Sequence, residues 1–563
     1  MKRSARWKPT PDLPDSPNLE SWSRIFQTAG ICVIVALLPG SYAVAQSTPP
    51  RDSSHYARGA VLARSGHYAQ ALPELVKAAQ QDPRNPKVHN LIGIVLSQLG
   101  RLKEANEAYN RALALAPDFY PARKNRASNA FFEKEFKFAA TEFEDLARLQ
   151  PKDFVPQLFL GLVAIEGADF QKARAHLLLA RQLAPREAGV LLALTRVFLT
   201  LGERQPAMET ARDMRRTSNA KPGERFELGV VLAGFGADAE AADVFQELWQ
   251  QRPGAYDVGF NLALLRYRSG QPEAALRTVE QLVAGGAQQA ELWNLRGWLY
   301  HHTGHPDLAI SSLERAVTME PIRVENYLDL STVLLDVSDP ENARRVIAQG
   351  IEKCVEQDRL YVQMGVLETQ NNNAGQAEAW YRRALEANPT NEAAYIALAH
   401  LLLVSEHERE AFTLLENALE RLPSSVLLNY FYGALMMETT GPEDAARLAK
   451  ARVILEKALA LNPLFANTHY RLARILLAEG KEEQAMPHLE KACMLNPKHT
   501  KALYQLSQVL ARRGQTERAA ELSRALRQLL TEKSGVMQEE FSDLVRESLR
   551  RATATELLSK PAN

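Results

Sequence analysis

The chain has 563 residues, of which 46% are hydrophobic, 24% charged and 7% aromatic. The length predicts roughly three or four globular units, and the composition supplies a core but few strand-forming residues. Lysine plus arginine equals aspartate plus glutamate at 67 each, which disfavours a protein that binds nucleic acid by neutralising phosphates.

The first 45 residues have the order of a secretory signal peptide. Basic residues precede an apolar run that Pro39 ends, and the small residues Ala43 and Ala45 form a cleavage pattern before Gln46. The alternative is an inner-membrane anchor formed by residues 25–45. Its uninterrupted apolar core of about 10 residues is shorter than the roughly 20 that span a bilayer. We therefore expect cleavage and an exported, periplasmic or secreted protein, with membrane contact only if the segment is retained.

The rest of the chain repeats with a period of 34 residues. Prolines that follow apolar helical runs recur at this spacing or at twice it, with six inserted residues before Pro463: Pro83, Pro117, Pro151, Pro185, Pro253, Pro321, Pro389, Pro423, Pro463 and Pro497. Alanine lies twelve residues before every proline position, at Ala71, Ala105, Ala139, Ala173, Ala207, Ala241, Ala275, Ala309, Ala343, Ala377, Ala411, Ala451, Ala485 and Ala519. A small residue, such as Gly297, lies twelve residues earlier again. Two small columns predict two helices per repeat that pack too closely for larger side chains.

Glycine and proline mark the turn between these two helices. Glycine recurs seven residues after the first small column, where it suits the left-handed residue that ends a helix: Gly66, Gly100, Gly202, Gly236, Gly270, Gly304, Gly480 and Gly514. Two residues later, a proline often stands at the predicted start of the second helix, at Pro272, Pro306, Pro340 and Pro442. Each unit is therefore predicted to be a helix, a tight turn and a second helix.

These columns resemble the tetratricopeptide repeat family. One repeat shows the pattern most fully, with Trp293, Leu295, Gly297, Tyr300, Ala309, Leu313, Ala316 and Pro321. It departs from the family at Arg296, where an aliphatic residue is usual. The resemblance covers about residues 50–531, or some fourteen repeats. It implies an all-α, right-handed superhelical solenoid in which neighbouring repeats stabilise each other and the first helices line a concave groove.

The predicted domain order is a signal peptide over 1–45, a linker over 46–51, the repeat solenoid over 52–531, and a capping helix with a tail over 532–563. The period stops after Thr531. Beyond it, apolar residues among charges indicate an amphipathic helix that covers the last repeat: Val536, Met537, Phe541, Leu544, Val545 and Leu549.

No sequence signature of an enzyme is found. The chain lacks a phosphate-binding loop ending in Gly-Lys-Ser/Thr, a Gly-x-Ser-x-Gly elbow and a Cys-x-x-Cys pair. His407 and Glu408 begin like a zinc-protease helix, but Ala411 occupies the position of the second histidine. We therefore predict no catalytic residue, no metal and no cofactor.

The remaining histidines and cysteines are interpreted as structural. His301, His302 and His305 could hold a metal, but no carboxylate is paired with them in the sequence, and a solvated turn is the favoured interpretation. Cys354 and Cys493 are several repeats apart, beyond the roughly 7 Å that a disulfide allows between Cα atoms. Both are expected to be small buried side chains.

The resemblance also places a groove-facing position three residues before the small residue of each first helix. In five repeats it is aromatic, at Phe226, Phe260, Tyr430, Tyr470 and Tyr504, and the next groove position adds Arg474 and Gln508. An earlier groove stretch is apolar, with Phe131, Phe132, Leu158, Leu162, Ile165, Leu192 and Leu199. Rings beside hydrogen-bond donors suit an extended or helical peptide. The alternative is that many of these rings pack between repeats.

We predict a non-enzymatic scaffold of the bacterial cell envelope that binds protein or peptide partners, and no nucleic acid, in the concave groove. The alternative is the periplasmic repeat component of a polysaccharide or outer-membrane assembly or secretion system. Such systems often continue into a barrel, and no alternating strand pattern follows Thr531.

Overall fold

The computed structural model describes residues 54–217, 220–439 and 445–532. The predicted signal peptide, the linker, Pro442 and the capping segment beyond Glu532 lie outside the described residues. Within these three ranges the chain forms 28 α-helices and no strand, which confirms the all-α prediction. None of these helices combines the length and the apolarity that crossing a bilayer requires.

The helices form fourteen pairs, numbered here as repeats 1 to 14. The first helices are α1 His55–Arg64, α3 Pro86–Gln98, α5 Tyr120–Phe132, α7 Phe154–Glu166, α9 Ala188–Thr200, α11 Pro222–Gly234, α13 Tyr256–Arg268, α15 Ala290–His302, α17 Val324–Asp336, α19 Asp358–Gln370, α21 Glu392–Val404, α23 Val426–Glu438, α25 Ala466–Ala478 and α27 Thr500–Arg512. The second helices are α2 Tyr68–Gln81, α4 Leu102–Leu115, α6 Phe136–Leu149, α8 Phe170–Leu183, α10 Arg204–Arg216, α12 Asp238–Gln251, α14 Pro272–Ala284, α16 Pro306–Met319, α18 Pro340–Lys353, α20 Ala374–Ala387, α22 Glu408–Arg421, α24 Ala445–Leu461, α26 Glu482–Leu495 and α28 Thr516–Glu532.

Packing divides the described chain into two compact units, one that ends at Leu248 and one that begins at Trp249. A first helix packs on its own second helix, which packs in turn on the next first helix, as α7, α8 and α9 do in one unit and α15, α16 and α17 do in the other. First helices of consecutive repeats also touch each other, as α17 and α19 do. We call the surface formed by the first helices of one unit its inner face, and the surface formed by its second helices its outer face.

The alanine column lies where helices touch. Thirteen of its fourteen alanines have no exposed surface, and Ala519 in the last repeat is 7% exposed. The glycines of the first-helix column are enclosed just as tightly. A Cβ atom added to Gly297 would lie 2.5 Å from Cγ of Leu313, and one added to Gly365 would lie 2.4 Å from Cε1 of Tyr381. Carbon atoms do not approach so closely, so the predicted close packing of each helix pair is confirmed.

The turn between the two helices contains a left-handed residue in thirteen repeats. In repeat 12 the corresponding residue lies outside the described residues. The eight predicted glycines have φ between 71° and 82°. Five other repeats place a residue with a side chain in this conformation, with φ between 56° and 65°: Lys134, Ala168, Ser338, Asn372 and Glu406. The sequence does not reveal these five positions. Four of the residues disfavour the left-handed region by about 1–2 kcal/mol, so the packing of the helix pair must hold them there, whereas asparagine adopts it more readily.

The starts of the second helices follow the prolines where these are present. The helices α14, α16 and α18 begin at a proline, as predicted. In repeat 12, α24 has 17 residues and begins at Ala445, six residues before Ala451, whereas α16 begins only three residues before Ala309. Three of the six inserted residues therefore lengthen α24 at its start.

The departure from the family pattern at Arg296 is accommodated by aromatic and acidic neighbours. Its guanidinium carbon lies 4.8 Å from the ring centre of Trp293 and 5.0 Å from that of Tyr300. Its Nε donates to Glu280 at 2.7 Å. Cation–π contacts and an ion pair thus replace the apolar contact that an aliphatic residue would make.

The two cysteines of the repeat region are free. Cys354 is 3% exposed, and Cys493 is half-buried. Burial raises the pKa of the Cys493 thiol to about 12, so this thiol is protonated at neutral pH. Cys354 belongs to a core cluster, as expected, whereas Cys493 packs against the edge of its cluster and is less buried than expected.

Candidate functional site

The inner face of the unit that begins at Trp249 carries polar side chains that bond across neighbouring first helices. Asn294 donates to Asp329 at 2.8 Å. Further along the face, Gln363 donates to Thr332 at 3.2 Å. These partners are 35 and 31 residues apart, so each bond joins one repeat to the next. Both separations are close to the period of 34 residues, so neighbouring first helices lie side by side and residues one period apart have equivalent positions along this face.

The histidine cluster of repeat 8 is distributed among separate contacts. Nε2 of His302 lies 2.7 Å from the hydroxyl of Tyr267, and Nε2 of His301 lies 3.2 Å from Asp336. Only His305 is exposed in the turn, as the residue before α16. In the three described ranges, no group of three or more histidine, cysteine, aspartate or glutamate side chains is placed to hold a metal. The solvated-turn interpretation therefore applies to His305, whereas the other two join neighbouring repeats.

The tyrosines at the groove position of repeats 12 and 13 are buried. Tyr430 is 1% exposed, and its ring lies edge-on to Phe465 at 5.0 Å. Tyr470 is 5% exposed, and its ring lies 4.8 Å from that of His499. Phe465 and His499 directly precede α25 and α27, so each tyrosine is covered by the entry to the next repeat. The expectation that these two rings lie open along a groove is wrong for that reason.

Tyr504 has the equivalent position in repeat 14 and is 51% exposed. Among the described residues, which end at Glu532, no further repeat supplies a counterpart of Phe465 or His499 to cover it. Gln508 is also exposed, and Arg474 on the neighbouring α25 is half-buried. Of the predicted late groove residues, the structure therefore leaves these three accessible.

The predicted groove residues of the preceding repeats pack against other side chains and are not open to solvent. Phe226 is half-buried, with its ring edge-on to Phe245 at 5.2 Å. Phe260 is 7% exposed and stacks on Tyr256 at 5.8 Å. Phe226 and Phe260 belong to different units. The apolar stretch of repeats 3 to 5 belongs to a core cluster of those repeats or packs against it, except that Leu192 is half-buried outside the cluster.

A charged group that the sequence did not predict lies on the inner face of repeats 11 to 13. Arg471 is 4% exposed, and its guanidinium lies 2.8 Å from the carboxylate of Glu438. Burial lowers the pKa of His400 to about 4 against the opposing effect of Glu438, so His400 is neutral at pH 7. The signal in the sequence is that His400 interrupts the apolar run of α21 and that Glu438 ends the largely apolar helix α23.

A tetratricopeptide repeat model matches residues 62–125, 235–299 and 476–529 of the chain. A second model of the same repeat matches residues 290–323 and 358–391. The repeats predicted from the small-residue columns are thereby confirmed in these segments.

Two curated relatives are similar at low identity. The chain is 21% identical over 365 residues to the BBSome complex member BBS4 of Bos taurus, which covers 65% of this chain and 69% of the relative. It is 22% identical over 323 residues to the Drosophila melanogaster homolog, which covers 55% of this chain and 60% of the relative, less than two thirds of its length. Among solved structures, yeast Tom70 is 17% identical, with a TM-score of 0.41, over 79% of this chain and 98% of that chain.

Proposed function

We propose that this chain, which carries tetratricopeptide repeats, is a non-enzymatic scaffold that binds polypeptide partners on the inner face of its repeats. Proteins built from these repeats generally mediate protein–protein interaction. The observation that carries the proposal is the accessible group of Tyr504, Gln508 and Arg474 in repeats 13 and 14. A rigid aromatic ring beside donors provides contact area at a small entropic cost. The bovine relative is named as a member of a complex, which supports a role in protein assembly.

The proposal includes export to the bacterial cell envelope. Its support is the order of basic, apolar and small residues over 1–45, which is that of a cleavable signal peptide. Free cysteines in the repeats are compatible with this compartment, because Cys354 and Cys493 lie in separate core clusters.

Export predicts a defined new N-terminus. When the full chain is expressed in a bacterium, the envelope fraction should contain a protein that begins at Gln46, as N-terminal mass analysis would show. Ala45→Leu should block processing, because the peptidase accepts only a small residue before the cleaved bond. Recovery of the unaltered chain in full length from the inner membrane would favour the anchor formed by residues 25–45 and end this part of the proposal.

Binding on the inner face predicts that Tyr504 contributes to affinity and not to folding. We expect Tyr504→Ala to weaken binding of a partner captured from envelope extract by about thirtyfold, which corresponds to the loss of roughly 2 kcal/mol at a hot-spot aromatic. The melting midpoint should stay unchanged because half of this side chain is already in solvent. Titration with the purified partner and a parallel melting curve measure both quantities.

Tyr470→Ala is the matched control, because Tyr470 has the equivalent position one repeat earlier and is buried. It should lower the stability by about 3 kcal/mol because it leaves a cavity between two repeats. Full affinity of Tyr504→Ala, or an affinity loss that merely follows a lower melting midpoint, would remove repeats 13 and 14 from the binding surface.

A further inference from the structure

The first helices of repeats 13 and 14 contain no carboxylate. Neither α25 nor α27 has an aspartate or a glutamate, and together they carry Arg471, Arg474, Lys501 and Arg512. The glutamates of the same two repeats lie on α26 and α28 or in the turn at Glu479. The inner face is thus positively charged here, and the acidic residues lie on the second helices or in the turn.

This charge pattern differs from that of the preceding repeats of the same unit. The helix α17 carries Glu325, Asp329 and Asp336 and has no lysine or arginine. The next first helix, α19, supplies Arg359, which pairs with Glu325 at 2.6 Å. Charges on the inner face of repeats 9 and 10 are therefore partly neutralised between neighbours, whereas α25 and α27 cannot neutralise each other.

Among the residues that the structure describes, Arg474 is the cation on this surface that has no ion-pair or hydrogen-bond partner. Arg471 pairs with Glu438 at 2.8 Å, and Arg512 pairs with Glu482 at 3.1 Å. Arg474 is half-buried and makes no hydrogen bond or ion pair within the described residues. Its N–H donors have no protein acceptor, so a partner that supplies one can bond a guanidinium that is already partly desolvated.

The surroundings of Arg474 follow from the equivalence of positions along the face. The bond between Thr332 and Gln363 joins residues 31 apart in adjacent first helices, and the same step from Arg474 leads to Gln505. Gln508 and the half-exposed ring of Tyr504 lie on the same helix as Gln505. By this equivalence the amide of Gln505 adjoins the guanidinium, and Gln508 and Tyr504 lie within one turn of Gln505 on α27. No first-helix carboxylate of either repeat competes for Arg474.

We propose that the inner face of repeats 13 and 14 binds an acidic peptide, with a glutamate or aspartate side chain on Arg474 and an apolar side chain on the ring of Tyr504. This inference rests on the proposed function and names the chemistry of the partner. Arginine suits a carboxylate because its planar fork can donate two parallel hydrogen bonds. The amides of Gln505 and Gln508 can bond the peptide backbone, since each offers both a donor and an acceptor.

Two fluorescein-labelled decapeptides test the proposal by anisotropy with the full mature chain. One contains four glutamates and two leucines, and its twin has glutamine at the four positions. We expect the acidic peptide to bind at least tenfold more tightly than its twin. Arg474→Gln should weaken binding of the acidic peptide about tenfold and leave binding of the twin unchanged, because only the acidic peptide offers carboxylates to the guanidinium.

Arg524→Gln is the matched control, since it removes the same charge from an exposed position on the outer helix α28. If both variants weaken binding of the acidic peptide equally, the peptide is attracted by the net charge of the protein and the proposed site is wrong. Equal affinity of the unaltered chain for the two peptides would also overturn the site. Tighter binding of a single-stranded oligonucleotide that is lost in Arg474→Gln would also overturn it in favour of a nucleic-acid surface.

The outcomes separate this inference from the proposed function. Should Tyr504→Ala weaken the captured partner while neither decapeptide binds, the scaffold function stands and the acidic specificity is wrong. Should Tyr504→Ala leave the captured partner bound with full affinity while the acidic peptide requires Arg474, the acidic site stands apart from that partner. Arg474→Gln should have the same melting curve as the unaltered chain, because the side chain has no partner within the described residues. A change in peptide binding can then not be attributed to unfolding.

Discussion

Replacing Phe159 by alanine should lower the free energy of unfolding by about 4 kcal/mol, the largest effect that we expect of any single substitution discussed here. Phe159 on α7 has no exposed surface. Its ring stacks on Phe143 at 4.7 Å and meets Phe131 edge-on at 5.5 Å. The substitution removes a large apolar volume and three aromatic contacts at once, since Phe132 also lies edge-on to this ring. Neighbouring helices anchored in their own repeats can close the cavity only in part.

Guanidinium unfolding followed by circular dichroism would measure the loss, and hydrogen exchange would locate it. The damage should centre on repeats 3 to 5, because a solenoid repeat interacts chiefly with its neighbours. Phe138→Ala is the matched control, since Phe138 is 39% exposed beside Arg126, and its loss should cost less than about 1 kcal/mol. Similar midpoints for the two variants would contradict the central position of Phe159.

Ala309→Leu should destabilise repeat 8 by about 1–3 kcal/mol through overpacking. Ala309 has no exposed surface, and its carbonyl oxygen would lie only 3.1 Å from a Cβ atom added to Gly297 on the partner helix. A leucine at this position adds three heavy atoms where α15 and α16 are already in contact. The helices must separate or the side chain must leave its preferred rotamer.

The control for this substitution is Glu314→Ala, an exposed position on the same helix, which should change stability by less than about 0.5 kcal/mol. Chemical denaturation of the two variants gives the comparison directly. If both leave the midpoint where it is in the unaltered chain, the alanine column does not mark a helix contact.

Most of the fold could be predicted because its determinants are local and periodic. The alanine column, the first-helix glycines and the turn glycines each act within one helix pair, over fewer than 34 residues. A small side chain at a contact and a left-handed residue at a helix end have the same consequence wherever they occur. The exceptions are positions such as Lys134 and Glu406, whose left-handed turns are held by packing against the preference of the residue itself.

The candidate site could be predicted only in part. The period correctly identified Tyr430, Tyr470 and Tyr504 as equivalent, but equivalence does not decide exposure. That depends on what the next repeat brings to the ring, which is Phe465 for Tyr430, His499 for Tyr470 and no described residue for Tyr504.

The sequence by itself therefore determined the helix pairs, their spacing and their points of closest approach, because these follow from residue size and backbone preference within one repeat. Only the tertiary structure decided which groove positions are accessible and which cations lack a partner. Arg471 and Arg474 are three residues apart on α25, yet one pairs with Glu438 and the other makes no ion pair within the described residues. Burial and pairing are properties of neighbouring repeats, and these come from parts of the chain a full period away.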